Sequence, residues 1–577
     1  LICLHNNINC RYANIWYKLV SGGNGYLRFG GDMLRYCVVL LVAWAASVAA
    51  GDLFGPRHPP TKGSVWPKPK YQASEDVYYK FRSETFNFTV TAETCDILTK
   101  ALERYSFLGR DAQRIVRRSA SRMRRRRRDS NTTQVDDNLA GYVQELQVDL
   151  TAPCETLPYF GMDESYNLTV ASVSQLKSSS IWGILRGLET WTHLLYYSND
   201  QTNIFINKTI IQDAPRYLHR GLLIDTSRHY ISLSTITKTL DAIAMNKMNV
   251  LHWHIVDDQS FPYQSEKFPD LSRLGAYHSS MVYTKENIQL IINYAKDRGI
   301  RVIPEFDVPG HTRSWGQAYP EILTKCYEGG VATGLGPMNP INNATYKFLQ
   351  DLFTEINEWF PDKYLHIGGD EVDLACWESN PELQEYMRAH GMTSASKLHA
   401  LFMEKVIPLL GKKYQPVVWQ EVFDERVPLS NDTLIHVWKG GDINEMIDIL
   451  SSGYKVLYSS AWYLDHVGSG ADWEKYYAAD PRQMLERYIP HFLEGVDINN
   501  VVGGEACMWA EDVDDNNFMS RVWPRASAVA EKLWSPASST RACELTHARL
   551  AEHACRMNRR GLRAQPPSGP GYCVGAL

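Results

Sequence analysis

The second half of this chain predicts an α/β fold: a closed (β/α)8 TIM barrel, preceded by a smaller α+β domain. Three observations carry that prediction. From residue 219 onward eight short apolar runs recur, at 221–225, 250–256, 301–306, 364–367, 416–419, 433–437, 455–458 and 500–506. Most are separated by stretches of helical period, at 235–248, 285–298, 346–360, 395–410 and 443–451. Acids and indoles gather just after the runs, where a barrel collects its functional residues. Strands alternating with helices imply a parallel sheet. Eight such units in about 350 residues imply a sheet closed on itself, at the long end of the barrel size range.

Taken in order, residues 1–32 show no pattern and read as a leader foreign to the mature protein. Residues 33–50 join one Arg to an apolar run and close on Val48, Ala49 and Ala50, the layout of a secretory signal cleaved after Ala50. The apolar stretch from Tyr36 to Ala50 is shorter than the ~20 residues a membrane span needs, so stable membrane insertion is not expected. From 51 to 217 strand-like pieces (86–90, 142–150, 166–170) accompany one helical stretch, 180–195, as in a small α+β domain. Ten arginines fall between Arg110 and Arg128, the last five of them consecutive. Such a block repels itself and reads as a disordered, protease-sensitive surface loop, residues 110–128. The barrel takes 218–577.

With 577 residues, 44% apolar and 22% charged, the chain is a globular protein too long for one ordinary domain. A formal charge of -5 leaves no electrostatic footprint for nucleic acid. Setting aside Cys3, Cys10 and Cys37 leaves eight cysteines, most of which should pair in an oxidising compartment. Sequence does not fix the pairing; neighbours in order suggest Cys95–Cys154, Cys326–Cys376 and Cys555–Cys573. Six N-x-S/T sequons, at Asn87, Asn131, Asn167, Asn207, Asn343 and Asn431, agree with the secretory pathway and a lysosomal or extracellular destination. No C-x-x-C pair supports a metal reading of the cysteines.

The stretch LHIGGDEVDLACW (365–377) is the chemical centre. Its apolar run breaks at Gly368-Gly369 and delivers Asp370 and Glu371 to the strand's end. Neighbouring side chains of a strand point to opposite faces. Both acids can face one site only if the chain leaves extended geometry there, which the two glycines permit. Close carboxylates resist ionising together, so one should keep its proton, as acid-assisted glycoside cleavage requires. The other run ends carry Asp225 and Arg228; His254, Asp257 and Asp258; Glu305, Asp307 and His311; Trp419 and Glu421; His436 and Trp438; Tyr463 and Asp465; Glu505, Trp509 and Glu511. Aromatic plates beside acids and an Arg describe a carbohydrate site. The H-x-H of His252 and His254 raises a rival two-metal chemistry. The fifth run offers Trp419 and Glu421 where further ligands are wanted and the sixth only His436, so the count is short. The pair reads as barrel hydrogen-bonders, with no metal and no cofactor expected. Neither a G-x-S-x-G elbow nor a phosphate-cradling loop occurs.

Six long stretches carry a specific resemblance: APRYLHRGLLIDTSRHY, NVLHWHIVDDQSFPYQS, RVIPEFDVPGHTRSWG, LHIGGDEVDLACW, VVWQEVFD and GGEACMWAEDVD. Together they resemble the β-N-acetylhexosaminidases of glycoside hydrolase family 20, animal lysosomal type, from about Trp66 to Cys573. The resemblance implies an exo-acting enzyme that removes terminal β-linked GlcNAc or GalNAc with retention. The substrate's own 2-acetamido oxygen is the implied nucleophile, a mechanism known for this family and not readable from spacing. It further implies Glu371 as general acid and base, Asp370 orienting the acetamido nitrogen, and Tyr463 holding the acetamido oxygen. Trp419, Trp438 and Trp509 would wall the acetamido pocket, Arg228 and Glu511 grip the outer hydroxyls, and Asp257 and His311 steady Glu371. Asp465 in this family selects uncharged sugars. A homodimer is implied by resemblance alone. The alternatives are an extracellular chitooligosaccharide-degrading enzyme and a sugar-binding homologue without turnover; the joint presence of Asp370, Glu371 and Tyr463 favours the enzyme. The Arg-rich stretch departs from the family pattern.

Overall fold

The computed structural model describes residues 61–124, 137–466, 468, 472–488, 496–569, 571 and 573. The leader, the signal sequence with its cleavage site, and the sequon at Asn131 lie outside the described residues.

The first domain is a twisted sheet of β1 (Tyr71–Phe81), β2 (Asn87–Val90), β3 (Leu139–Tyr142), β4 (Glu145–Leu150), β5 (Tyr166–Val170), β6 (Val173–Ser178), β7 (Tyr196–Tyr197) and β8 (Ile204–Asp213). Its order is β2-β4-β6-β5-β8-β1-β3, with β7 on β8. Period-two patterning decides its faces: β5 buries Tyr166, Leu168 and Val170 and exposes Asn167 and Thr169. Two helices cover one face, α1 (Asp96–Arg124) and α2 (Ile181–Leu194). The Ser180 hydroxyl accepts a hydrogen bond from the Trp182 N–H and so caps α2. Sequence had offered one helix here, and α1 corrects the reading of 110–128 as a loop over 110–124, while 125–128 lie outside the described residues. Up to Arg124 the arginines ride on a helix. Ile97, Leu98, Ala101 and Tyr105 recur at helical spacing and sit in the domain core with Val116. Arginine is also a good helix former, and burial of that stripe outweighs charge repulsion on the wet face.

The barrel closes in the order β9 (His219–Asp225), β10 (Val250–His254), β11 (Arg301–Glu305), β14 (Tyr364–His366), β15 (Gln415–Trp419), β16 (Leu434–Val437), β17 (Lys455–Tyr458) and β18 (Val501–Met508), all parallel. Every expected strand is present within a few residues of its expected bounds. An unforeseen hairpin, β12 (Leu323–Glu328) and β13 (Val331–Met338), stands between β11 and β14 and is pinned by Cys326–Cys376. The helices around the barrel include α3 (Leu233–Met245), α4 (Lys285–Lys296), α5 (Asn343–Trp359), α6 (Ser396–Val406), α7 (Asp442–Ser451) and α8 (Arg525–Trp534), with α9 (Glu544–Arg559) closing the chain. The Cys95–Cys154 and Cys555–Cys573 bonds are also formed; Cys507 and Cys543 are free.

Parity along the strands stacks the barrel interior in layers. Val250, Ile303, Tyr364, Val417 and Leu434 form an apolar floor. Two residues on, His252, Glu305, His366 and His436 replace them, joined by Glu505 from β18. Trp419 tops the stack.

Buried ion pairs lock the two domains together. Glu164 meets Arg220 of β9 at 2.6 Å and Arg186 of α2 at 2.8 Å, and Asp213 of β8 holds Lys247 at 2.8 Å.

Candidate active site

The polypeptide leaves β14 through two left-handed glycines, Gly368 at φ +66 and Gly369 at φ +100, and Glu371 itself sits at φ +48. That turn is what lets consecutive acids reach one site. The Asp370 side chain is largely buried and that of Glu371 is 57% exposed. The Gly368 carbonyl accepts from the Trp419 N–H at 3.0 Å, fixing the acid turn against the head of β15.

Trp419 is the floor of an aromatic cup. Trp438, Tyr463 and Trp509 pack against the buried trio of Leu223, Trp419 and Cys507. Trp438 stands nearly perpendicular to Trp419, with centroids 6.4 Å apart, and lies almost parallel to the Tyr463 ring at 6.1 Å. Burial, then Cys507 and the charge of Asp370, push the Tyr463 phenol up, while a hydrogen bond with Trp509 works the other way. The phenol therefore stays neutral.

His311 connects the acids to the barrel. Its Nδ1 lies 3.2 Å from Asp257 Oδ1, and its Nε2 faces Glu371 at 3.7 Å, Asp370 at 3.9 Å and Asp307 at 4.0 Å. Burial alone would strip its proton. The charge of Asp370 and the bond to Asp257 outweigh that and raise it to about 9. Despite its burial, hydrogen bonds from His254 and His311 hold Asp257 far below the usual carboxylate range. Arg228 Nη2 meets Asp257 at 2.8 Å and Nη1 meets Asp225 at 2.9 Å, so this guanidinium is mostly committed to the protein. It reaches Glu511 at 3.7 Å and lies over the Trp509 ring at 5.1 Å. Asp465 is half-buried, and burial pushes its carboxyl up.

Several buried polar atoms have no protein partner among the described residues: Asp370 Oδ1, Asp465 Oδ1 and His311 Nε2. Buried polar groups are nearly always satisfied. Three orphans on residues of one rim are what a hydroxyl- and amide-bearing ligand would complete. All eleven residues singled out from sequence stand at the C-terminal ends of the barrel strands or in the loops that follow.

Two residues have a larger part than sequence reasoning gave them. Glu305 is a four-way node: it accepts from the Trp419 indole N–H at 2.8 Å and meets His254 at 2.7 Å, His252 at 3.0 Å and His366 at 3.1 Å. Although it is buried, the charges of His366 and His254 hold it well below its ordinary range. Asp307 does the opposite. Burial, then the charges of Asp370 and Glu305, push it well up. The acid that opposes Asp370 is thus Asp307, with carboxylate oxygens of the two within 4.8 Å, a neighbour the adjacent pair 370/371 did not reveal. The signal was available: Ile303, Glu305 and Asp307 keep one parity, so a polar step follows an apolar one on the inner face.

The three imidazoles of His252, His366 and His436 bring donor atoms within 4.8 Å of one another, as do Asp307, His311 and Asp370. This is closer than the strand-by-strand count of ligands had it, because β14 contributes His366. Both His252 nitrogens are already engaged, Nδ1 with Glu505 at 2.7 Å and Nε2 with Glu305 at 3.0 Å. Four of the sequons, at Asn87, Asn167, Asn343 and Asn431, are exposed. Asn207 is partly buried, its carboxamide held by Tyr196 and the Glu75 carbonyl.

Comparison with known proteins places this geometry. The glycosyl hydrolase family 20 catalytic-domain model matches residues 217–537, and a β-acetyl hexosaminidase-like domain model matches 65–194. The chain is 47% identical over 438 residues to the β-hexosaminidase β subunit of Homo sapiens, covering 75% of this chain and 77% of that protein. It is 40% identical over 561 residues to the β-hexosaminidase α subunit of Bos taurus, covering 94% and 98%. Among solved structures, a chitobiase of Flavobacterium johnsoniae superposes with a TM-score of 0.71 at 29% identity, covering 87% of this chain and 74% of that one. With the family model spanning more than half of the chain and these relatives matched over most of their length, the chain belongs to glycosyl hydrolase family 20.

Proposed function

We propose that this chain is an exo-acting β-N-acetylhexosaminidase, removing terminal non-reducing β-linked GlcNAc or GalNAc from neutral oligosaccharides and glycoconjugates. The carrying observation is the convergence of Asp370 and Glu371, linked through His311, on a cup of three indoles and a phenol at the barrel mouth. An acetamido methyl fits such a cup, and a sugar ring stacks on its rim.

Glu371, the exposed acid, protonates the leaving oxygen and afterwards takes a proton from the attacking water. The acetamido oxygen of the substrate closes on the anomeric carbon, giving retention without an enzyme nucleophile. Asp370 faces the acetamido nitrogen and stabilises its developing positive charge, with the buried Asp307 behind it. Tyr463 donates to the acetamido oxygen and holds it near the reacting carbon, an entropic gain. Arg228 and Glu511 meet the outer hydroxyls and end the site there, hence exo action. Asp257 and His311 steady Glu371. Asp465 places a carboxylate in a half-buried wall, which disfavours sulfated or sialylated sugars.

Three disulfides and exposed sequons support residence in the lumen of the secretory pathway, lysosomal or extracellular. No helix among the described residues is long and apolar enough to cross a membrane. The relatives named as subunits support a homodimer, which sedimentation analysis would reveal as twice the chain mass.

Glu371→Gln is the direct test. Turnover of a glycan with a poor leaving group should fall by about 10²–10⁴, with a much smaller loss on an activated aryl glycoside. Near-normal rates on both would refute the assignment. Comparing chitobiose, a glycan with terminal GlcNAc and a 6-sulfated substrate at acidic and neutral pH separates glycoconjugate breakdown from chitin-fragment trimming.

A further inference from the structure

Glu421 takes no part in the chemistry above, yet it stands against the aromatic cup. β15 ends at Trp419 and turns at once into the short helix Gln420–Asp424, so three consecutive side chains build one corner of the cup. Trp419 is the floor. Gln420 Oε1 accepts from the backbone N–H of Trp438 at 3.1 Å and from that of Lys439 at 2.9 Å, which anchors the chain as it leaves β16. Glu421 Oε2 accepts from the Trp438 indole N–H at 3.1 Å, and its other oxygen meets the Lys439 ammonium at 2.8 Å. The Glu421 side chain is 13% exposed, and the ammonium lies 5.6 Å from the Trp438 ring centroid. Burial and the charge of Asp370 push the Glu421 carboxyl up, and the bonds to Lys439 and Trp438 work against that rise.

Trp438 is half-buried at the rim, where a ring with an open face can change rotamer unless its polar edge is held. The bond to Glu421 supplies that hold. Supporting bonds of this kind keep the wall of a site within about 0.5 Å of its working geometry. We propose that Glu421 is a positioning residue: by fixing the Trp438 indole it sets the size of the cup, and so restricts the N-acyl group that the site accepts to acetyl. This rests on the reading of the cup as the acetamido pocket.

Rates of the intact chain on an aryl N-acetyl-β-glucosaminide and on its N-propionyl analogue test this. One methylene too many in a firm apolar pocket costs about 10–200-fold, so the native chain should favour the acetyl substrate by at least about tenfold in kcat/KM. Glu421→Leu and Glu421→Ala both remove the acceptor, the first filling its space and the second leaving it open. In either variant the acetyl-to-propionyl ratio should fall several-fold, with propionyl turnover gained, a change that mere loss of stability would not produce. Glu421→Gln keeps a carbonyl for the indole N–H and should retain the native ratio. In a Trp438→Phe background, which lacks the donor, Glu421→Leu should alter the ratio no further. A loss shared equally by the two substrates, the same fall in Glu421→Gln, or a further fall in the double variant would overturn the role of Glu421. A native chain that turns over neither glycoside would overturn the hexosaminidase reading and this proposal with it, whereas a native preference that the variants keep would overturn this proposal alone.

Discussion

His311 is the residue on which the pH behaviour of the site turns. A raised folded-state affinity, about 9 against an ordinary 6.5, means its stabilising charge is fully present below pH 6.5 and lost as pH climbs through 9. His252, raised to about 9, and His254, raised to about 10, follow the same sign, because Glu505 and Glu305 outweigh their burial. Thermal midpoints of the native enzyme should therefore decline from pH 6.5 to 10. His311→Asn should flatten part of that slope and lower kcat more than it raises KM; an unchanged slope would remove His311 from this account. Asp465→Asn should raise the rate on a 6-sulfated substrate relative to its neutral counterpart, read as a ratio of kcat/KM. Glu305→Gln should cost about 3–5 kcal/mol, the usual loss when a buried charge cluster is left unbalanced. It should also disturb Trp419 and so impair substrates bearing the acetamido group.

At the level of the element, the turn after β14 is the least replaceable. A Cβ on Gly368 would meet Asp307 Oδ1 at 1.6 Å, and its φ of +66 disfavours any side chain. Gly368→Ala should displace Asp307 and with it Asp370, cutting kcat/KM sharply and costing more than about 1 kcal/mol in a denaturant titration. The GGDE motif was legible because glycine, unlike any other residue, advertises its backbone in its name. The helix α1 was not, since a run of arginines looks alike whether it lies on a helix or in a loop. Ile97, Leu98, Ala101 and Tyr105 decide the matter, and they do so only because a sheet exists for them to cover. Cys95–Cys154 spans this element, so a protease cut between them should yield two pieces on a reducing gel and one on a non-reducing gel.

For the whole molecule, the joint between the sheet domain and the barrel rests on charges with no escape to water. Glu164 is buried between Arg186 and Arg220, and their positive charge outweighs burial to hold its carboxyl low. Its contribution is present above the unfolded carboxylate range and is lost as pH falls through the folded value. Glu164→Ala would strand two guanidiniums and should cost about 3–5 kcal/mol, seen as an early loss of one unfolding transition. Nothing in the sequence announces this joint, because Glu164, Arg186, Asp213, Arg220 and Lys247 lie far apart in the chain and no periodicity relates them.

What the amino-acid order determined alone is whatever repeats or bends locally: eight strands by period, the alternating helices, the acid turn by its glycines, and the indoles by their place after each run. Only the closed barrel decided which inward residues share a layer. Closure brings β9 against β18, so that Glu505 and His219 meet at 2.6 Å across 286 residues, and it sets Glu305 beneath Trp419. Contacts made by closure depend on register around the whole ring, and that is a property no stretch of sequence holds.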